Sequence, residues 1–142
     1  MLRVNYLLAF KNKVVWTVGP EEPVLAAIQL MADKHIGALP VVRDNELIGI
    51  VSERDYARKV ILLGRSSSDT PVWQIMSSPV KTVSADADVH QCMEIMTEMR
   101  IRHLPVMEKN KLVGIISIGD LVKAVIEEQQ QTITQLERYI AG

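Results

Sequence analysis

The stretch Gly49-Ile50-Val51-Ser52-Glu53-Arg54-Asp55 returns 65 positions later as Gly114-Ile115-Ile116-Ser117-Ile118-Gly119-Asp120. The match extends without a gap over residues 17–56 and 82–121, where fourteen of the forty pairs are identical. A repeated unit of this kind usually cannot bury its apolar face alone. The sequence therefore predicts an internal pseudo-dimer of two related units with two related clefts.

Each repeat predicts the order β-α-β-β-α. In the first repeat, a short strand over 14–18 precedes a helix that ends near Gly37 and has apolar residues at the i, i+3, i+4, i+7 spacing of an amphipathic helix. Two strands over 38–42 and 47–51 then flank a turn at Asp44-Asn45, and a helix begins at Ser52.

The second repeat gives the same order, with a first strand over 80–83 and a hairpin turn at Lys109-Asn110. Its last helix begins at Ser117 and continues to about residue 139. We place the first unit with its N-terminal lead-in at 8–64, a linker at 65–71, the second unit at 72–127 and a helical extension at 128–142.

Composition narrows the function classes. The 142 residues are 48% apolar and carry a net charge of −1, which argues against binding nucleic acid through bulk charge. The single cysteine, Cys92, excludes an internal disulfide and falls on a helix face as a small core residue. We find neither a signal peptide nor the roughly 20 apolar residues of a membrane helix, so we expect a cytoplasmic protein without a membrane partner.

The repeated motif runs from a strand end into a helix start, where free backbone N–H groups suit an anionic or hydroxyl-rich ligand. The carboxylates of Asp55 and Asp120 could accept two hydrogen bonds from a vicinal diol, beside the hydroxyls of Ser52 and Ser117. The alternative is a capping box, in which Ser caps the helix and Asp caps back. Both interpretations remain open from the residues alone.

A Leu-Pro-Val strand precedes each motif, at residues 39–41 and 104–106. Because proline has no N–H to donate, it indicates an edge or a bend beside a cleft. Thr17 and Thr82 open the two repeats, either for their β propensity or to bond a base edge.

These three motifs, each present twice in order, resemble the CBS domain. The chain over about 15–126 looks like a tandem CBS pair, or Bateman module, that stands alone. The resemblance implies an α+β fold with two repeats related by a pseudo-twofold axis. It also implies clefts that bind adenosine-containing ligands such as AMP, ADP, ATP, S-adenosylmethionine or nicotinamide dinucleotides.

The resemblance also implies roles for individual residues. The ribose would be held by Asp55, Ser52, Asp120 and Ser117. The adenine would lie against Thr17, Ala38, Leu39, Pro40, Thr82, His103, Leu104 and Pro105. The candidates for phosphate contact are Arg54, Arg58, Lys59 and Arg102. For Arg58, an ordinary helix salt pair with Asp55 is the alternative.

No catalytic triad, metal-ligand spacing or phosphate loop is visible, so we expect no enzyme, no metal and no catalytic cofactor. The leading hypothesis is a sensor for an adenine nucleotide, with AMP favoured, that acts through an effector on another chain. The alternative is a ligand-independent module for dimerisation.

The last helix has an apolar stripe that either lies on its own domain or forms a seam with a second chain, at Val122, Ile126, Ile133, Leu136 and Ile140.

Overall fold

The computed structural model describes residues 2–11 and 14–142. The helices are α1 (Val4–Leu8), α2 (Val24–Lys34), α3 (Glu53–Tyr56), α4 (Val89–Met99) and α5 (Ile118–Ala141). The strands are β1 (Ala38–Arg43), β2 (Glu46–Ser52), β3 (His103–Glu108) and β4 (Lys111–Ser117). Helices mixed with small antiparallel sheets confirm the predicted α+β class.

Contacts divide the chain into two compact units. The first-repeat unit is Val15–Lys81, and the second-repeat unit combines Met1–Val14 with Thr82–Gly142. Each unit has a core of its own, built from the faces of two helices, one hairpin and one lead-in segment. Cys92 is buried in the second core, and burial, together with the negative charge of Asp88, raises the pKa of its thiol.

A β-hairpin forms the sheet of each unit. The turn residues Asp44 and Asn45 have φ of 51° and 64°, and Lys109 and Asn110 have φ of 50° and 64°. Two consecutive residues with positive φ are the requirement of a type I′ turn, whose twist suits a tight hairpin. Both predicted turns are confirmed.

The first strand predicted in each repeat is reduced to one bridge, Val18 with Val41 and Val83 with Val106. The N–H of Val18 donates to Pro40 at 3.1 Å, and its carbonyl accepts from Val42 at 2.9 Å. Extending this parallel ladder in either direction would need an N–H from Pro40 or Pro20, and proline has none. The strands predicted over 14–18 and 80–83 are therefore wrong in length.

In the second repeat, the bridge between Val83 and Val106 cannot be extended on one side, because Pro105 has no N–H to donate. On its other side, the N–H of Ala85 donates to the Glu108 carboxylate at 2.7 Å instead of to the sheet. Both repeats thus end their first strand after a single residue, for related reasons.

Each repeat is preceded by a lead-in segment, residues 2–11 before the first repeat and 72–77 before the second. Each lead-in packs on the unit of the other repeat. The segment before the first repeat packs on the second-repeat unit, where Val4 and Asn5 donate to Ala87 and Ala85 at 2.9 and 2.8 Å. The segment before the second repeat packs on the first-repeat unit, where Ser77 and Ile50 form a bridge. The boundaries 8–64 and 72–127 describe the repeats along the sequence and stay a prediction, whereas by contacts each lead-in belongs to the unit of the other repeat.

Two motif glycines make room for the exchanged segments. A Cβ added at Gly114 would lie 2.6 Å from Cδ2 of Leu8, and one added at Gly49 would meet the sulfur of Met76. The close approach that each glycine allows is therefore used by a lead-in side chain.

Helix ends differ from the sequence prediction in two places. The first long helix ends at Lys34 rather than near Gly37, because His35 takes a left-handed conformation with φ 55°. The helix after Ser52 is α-helical over Glu53–Tyr56 and π-helical over Ala57–Ile61. Helix α5 packs on its own unit through Leu121 and Ala124, while its C-terminal half is exposed.

Within the described part of the chain, no helix combines the length and the apolar character needed to cross a membrane.

Candidate functional site

The corner between β2 and α3 is closed by Ser52 and Asp55. Oδ2 of Asp55 accepts from the Ser52 N–H at 2.9 Å and from the Ser52 hydroxyl at 3.0 Å. The Asp55 N–H donates back to Oγ of Ser52 at 3.2 Å. This is a capping box, so the geometry proposed as the alternative for this motif is present.

The corner between β4 and α5 repeats the arrangement. Oδ2 of Asp120 accepts from the Ser117 N–H at 2.8 Å, and the Asp120 N–H donates to Oγ of Ser117 at 3.1 Å. Both carboxylates thus stabilise the start of their helices. They stay partly open to solvent, with side chains 16% exposed at Asp55 and 28% at Asp120.

A lysine ammonium also contacts each motif carboxylate. Lys59, one turn along the helix, places Nζ 3.3 Å from Oδ1 of Asp55 and donates to the carbonyl of Ile75 at 2.9 Å. The salt pair that Asp55 forms along the helix is with Lys59 at position i+4, rather than with Arg58, for which such a pair is the alternative to phosphate contact. Lys59, a candidate for phosphate contact, is paired with the ribose candidate Asp55 in this structure, and its phosphate role stays a prediction.

Lys11 makes the corresponding contacts with an aspartate and a backbone carbonyl in the second-repeat unit, although it comes from the N-terminal lead-in. Its Nζ lies 2.6 Å from Oδ2 of Asp120 and donates to the carbonyl of Ile115 at 2.8 Å. Nothing in the local pattern around Lys11 indicated this contact, since 109 positions separate the two residues.

Both lysines link a lead-in segment to a motif corner, but the lysine itself lies on the motif helix in the first-repeat unit and on the lead-in in the second-repeat unit. Lys59 extends from the motif helix to a lead-in carbonyl, whereas Lys11 extends from the lead-in to the motif strand. At the carbonyl that matches Ile115 in the first repeat, Ile50, the donor is the backbone N–H of Ser77 at 2.8 Å. In each unit a lysine therefore ties the lead-in segment to the motif aspartate.

Asp120 and His103 are electrostatically coupled to this lysine. Burial raises the pKa of Asp120, but the hydrogen bonds from Lys11 and Ser117 and the charge of Lys11 outweigh it, and the net pKa is lowered. Burial lowers the pKa of His103, and the positive charges of Lys11 and Arg102 lower it further, against the opposing charge of Asp120. Asp120 is therefore charged near pH 7, and burial, helped by the charges of Lys11 and Arg102, favours the neutral form of His103.

A pocket of about 260 Å³ opens beside Asp120, between α1 and the start of α5. Its lining combines two aromatic rings, two lysines and two carboxylates with apolar residues: Tyr6, Leu7, Phe10, Lys11, Asp120, Lys123, Ala124 and Glu127. Tyr6 and Phe10 contact each other edge to face, with ring centroids 5.0 Å apart. The sequence did not indicate that Tyr6, Phe10 and Lys11 line this pocket, because they belong to the lead-in that precedes the other repeat.

The strands place the adenine candidates next to the corners. Ala38 pairs with Ser52 and His103 pairs with Ser117 in the two hairpins. The following residues on each strand are buried in the sheet, as shown for Leu39, Pro40, Leu104 and Pro105. Their side chains are therefore largely committed to packing.

The remaining candidates lie near the corners with less defined contacts. Thr17 is exposed and Thr82 half-buried, each one residue before the single bridge. Arg54, Arg58 and Arg102 are exposed. Within each unit the structure brings together Ser and Asp of the motif, and His103 interacts electrostatically with Asp120.

Comparison with known proteins adds family evidence to this geometry. A family model of the CBS domain matches residues 10–62 and again 72–127. A CBS domain-containing protein of Arabidopsis thaliana, CBSX3, mitochondrial, is 42% identical over 127 residues, which cover 86% of this chain and 62% of that relative's length.

Solved structures show the same architecture. A putative signal-transduction protein with CBS domains from Burkholderia ambifaria is 49% identical, with a TM-score of 0.87 over 90% of this chain and 96% of its own. The CBS domain pair of protein MJ0100, solved with 5′-methylthioadenosine and S-adenosyl-L-methionine, is 22% identical with a TM-score of 0.80 over 90% and 98% of the two chains. This last likeness concerns the fold.

Proposed function

Because the chain belongs to the CBS domain family, with two copies of the domain in tandem, we propose that it is a regulatory module that binds an adenosine-containing ligand. The observation that carries the proposal is the pocket beside Asp120, which combines a charged carboxylate with two lysines and two aromatic rings. The proposed output is a change of conformation or of partner affinity, rather than catalysis.

The ligand would bind by replacing an existing contact. Oδ2 of Asp120 already accepts from Ser117 and Lys11, so a ribose diol would bind after Lys11 moves away. The released ammonium would face a phosphate, with Lys123 beside it. At about 260 Å³ the pocket is smaller than the ~300–1,000 Å³ of most small-molecule sites, and it suits part of a nucleotide.

The ligand we propose first is AMP, because the pocket offers two lysines for one phosphate. ATP, NAD(H) and S-adenosylmethionine are the further members of the class. A CBS pair with the same fold has been solved with two adenosyl ligands, which supports this class. Asp55 and Ser52 form a second proposed site, where Lys59 would have to leave.

Ligand-stripped protein titrated calorimetrically with AMP, ATP, S-adenosylmethionine and NAD(H) tests the proposal. We expect heat of binding from at least one of them. Asp120→Asn and Asp55→Asn should each remove or weaken one site, while Asp33→Asn, an exposed residue outside both corners, serves as the matched control. Flat titrations with all four compounds would refute the proposal.

The capping boxes support a second candidate, a ligand-independent interaction module. In that case Asp55 and Asp120 only cap helices, as their hydrogen bonds already do. The same Asn variants would then lower the free energy of unfolding by about 0.5–2 kcal/mol, the typical contribution of a cap, without any binding to lose.

The proposal includes three further parts that the sequence favours: a homodimer, an effector protein on another chain and a cytoplasmic location. A ligand shifts such an assembly only if it binds two states with unequal affinity.

A further inference from the structure

Helix α5 has an apolar stripe that its own unit does not cover. The helix contacts its unit through Leu121 and Ala124, which are almost fully buried. Large apolar side chains on another face are exposed, from 41% to 82%, at Val122, Ile126, Ile133, Leu136 and Ile140. With 100° per residue, this stripe lies about 135° around the helix from the packed face and about 160° from Asp120.

The spacing of the stripe is that of a coiled coil. Taking Ile126 as position a of a heptad, Ile133 and Ile140 are also a positions, and Val122 and Leu136 are d positions. Gln129 fills the remaining d position. A strict a/d stripe is narrower than the face of a helix that packs in a globular core, and it is typical of a two-helix contact.

The exposed half of α5 also lacks the packing that usually stabilises a helix. From Gln129 onward, every residue is exposed except the half-buried Thr134. Isolated helices shorter than about 12–15 residues are marginal in water, and amphipathic helices in proteins gain most of their stability from packing. A partner helix along the stripe would supply that packing.

We propose that α5 pairs antiparallel with α5 of a second copy of this chain. This deepens the homodimer part of the proposed function and does not depend on nucleotide binding. A single register matches every stripe position across a twofold axis near Gln131: Val122 with Ile140, Ile126 with Leu136, and Gln129 with Ile133.

Charge decides between the antiparallel and the parallel pairing. Lys123 and Glu137 both occupy e positions, at the same edge of the stripe, and they face each other twice in the antiparallel dimer. In a parallel dimer they lie 14 residues apart, about 21 Å along the helix, and cannot pair. A parallel dimer would also set Gln129 against Gln129.

The charges around the stripe argue against a lipid surface as the occupant. Helices that bind anionic membranes carry lysine and arginine on the polar face. In the second half of α5 the polar residues are glutamines, threonines and Glu137, with Arg138 as one basic residue. A second copy of α5 fits this composition better.

Variants with one added cysteine each test the register. Val122→Cys and Ile140→Cys would each be oxidised alone and as an equimolar mixture, with the buried Cys92 left in place. We expect a disulfide-linked dimer only from the mixture, because each position faces the other across the axis. Self-crosslinking of either variant alone would overturn the antiparallel register.

Sedimentation equilibrium of the full chain tests the surface itself. We expect a dimer, its conversion to a monomer in Ile133→Glu, and an unchanged dimer in the control Gln135→Glu on an exposed position off the stripe. Circular dichroism should show that the Ile133→Glu units remain folded. A monomeric wild type, or a dimer that Ile133→Glu leaves intact, would refute the proposal, whatever the nucleotide titrations show.

Discussion

Nζ of Lys11 lies 2.6 Å from Oδ2 of Asp120, and the same ammonium donates to the carbonyl of Ile115 at 2.8 Å. One charged group thus joins the N-terminal lead-in to the strand and the helix of the second-repeat unit. Its side chain is 33% exposed, so it is within reach of an incoming anion. The contact stabilises the ligand-free corner and also sets the electrostatic environment of His103.

Replacing Lys11 with methionine should raise the pKa of His103. The positive charge of Lys11 lowers this pKa, and its removal also leaves the negative charge of Asp120 uncompensated. NMR titration of the imidazole measures the change, with Lys34→Met in the other unit as the control. An unchanged His103 pKa in Lys11→Met would show that the two groups are not coupled.

Acidification should destabilise the fold in two steps. His103 has a folded pKa below the ordinary 6.5, so the unfolded chain binds its proton first and stability falls as the pH drops below about 6.5. Asp120 has a folded pKa below its ordinary 3.8, so its contribution is present above that value and is lost as the pH falls through the folded pKa.

Urea denaturation at pH 7.5 and 5.5 measures the first step. We expect a lower free energy of unfolding at pH 5.5, and a smaller difference between the two pH values in His103→Gln. His35→Asn is the control, because His35 is exposed and asparagine tolerates its left-handed backbone. An equal pH dependence in wild type and His103→Gln would contradict the assignment.

Local signals in the sequence predicted the hairpins and the helix starts. The turn pairs at Asp44-Asn45 and Lys109-Asn110 and the Ser-x-x-Asp spacing are complete within four residues, so no distant part of the chain could change them. Two further local signals went unused. The prolines at 20, 40 and 105 predict that the first strands stop after one residue, and the i+4 position of Lys59 predicts its pair with Asp55.

Contacts across the chain could not be predicted in this way. The exchange of lead-ins places Lys11 on Asp120 and Leu8 on Gly114, each more than a hundred positions away. No periodicity links such residues, and an apolar lead-in could pack on either repeat. The wall of the pocket beside Asp120 was missed for the same reason.

Removing a serine cap should cost stability at either corner. Ser52→Ala and Ser117→Ala each lose the hydroxyl that accepts from the N–H of the motif aspartate. We expect the free energy of unfolding to fall by about 0.5–2 kcal/mol in each variant. Ser→Thr at the same positions keeps a capping oxygen and should cost much less, so equal losses in the Ala and Thr variants would argue against the cap.

Gly114→Ala should destabilise the second-repeat unit, because the added Cβ would lie 2.6 Å from Cδ2 of Leu8. Overpacking of this kind typically costs about 1–3 kcal/mol. In a Leu8→Ala background the same change should cost less, and a double-mutant cycle in urea measures this coupling. Gly119→Ala is the control, because its Cβ would meet only Oγ of Ser117 at 3.6 Å within a helix that favours alanine. Additive effects of Gly114→Ala and Leu8→Ala would show that the lead-in does not pack against this glycine.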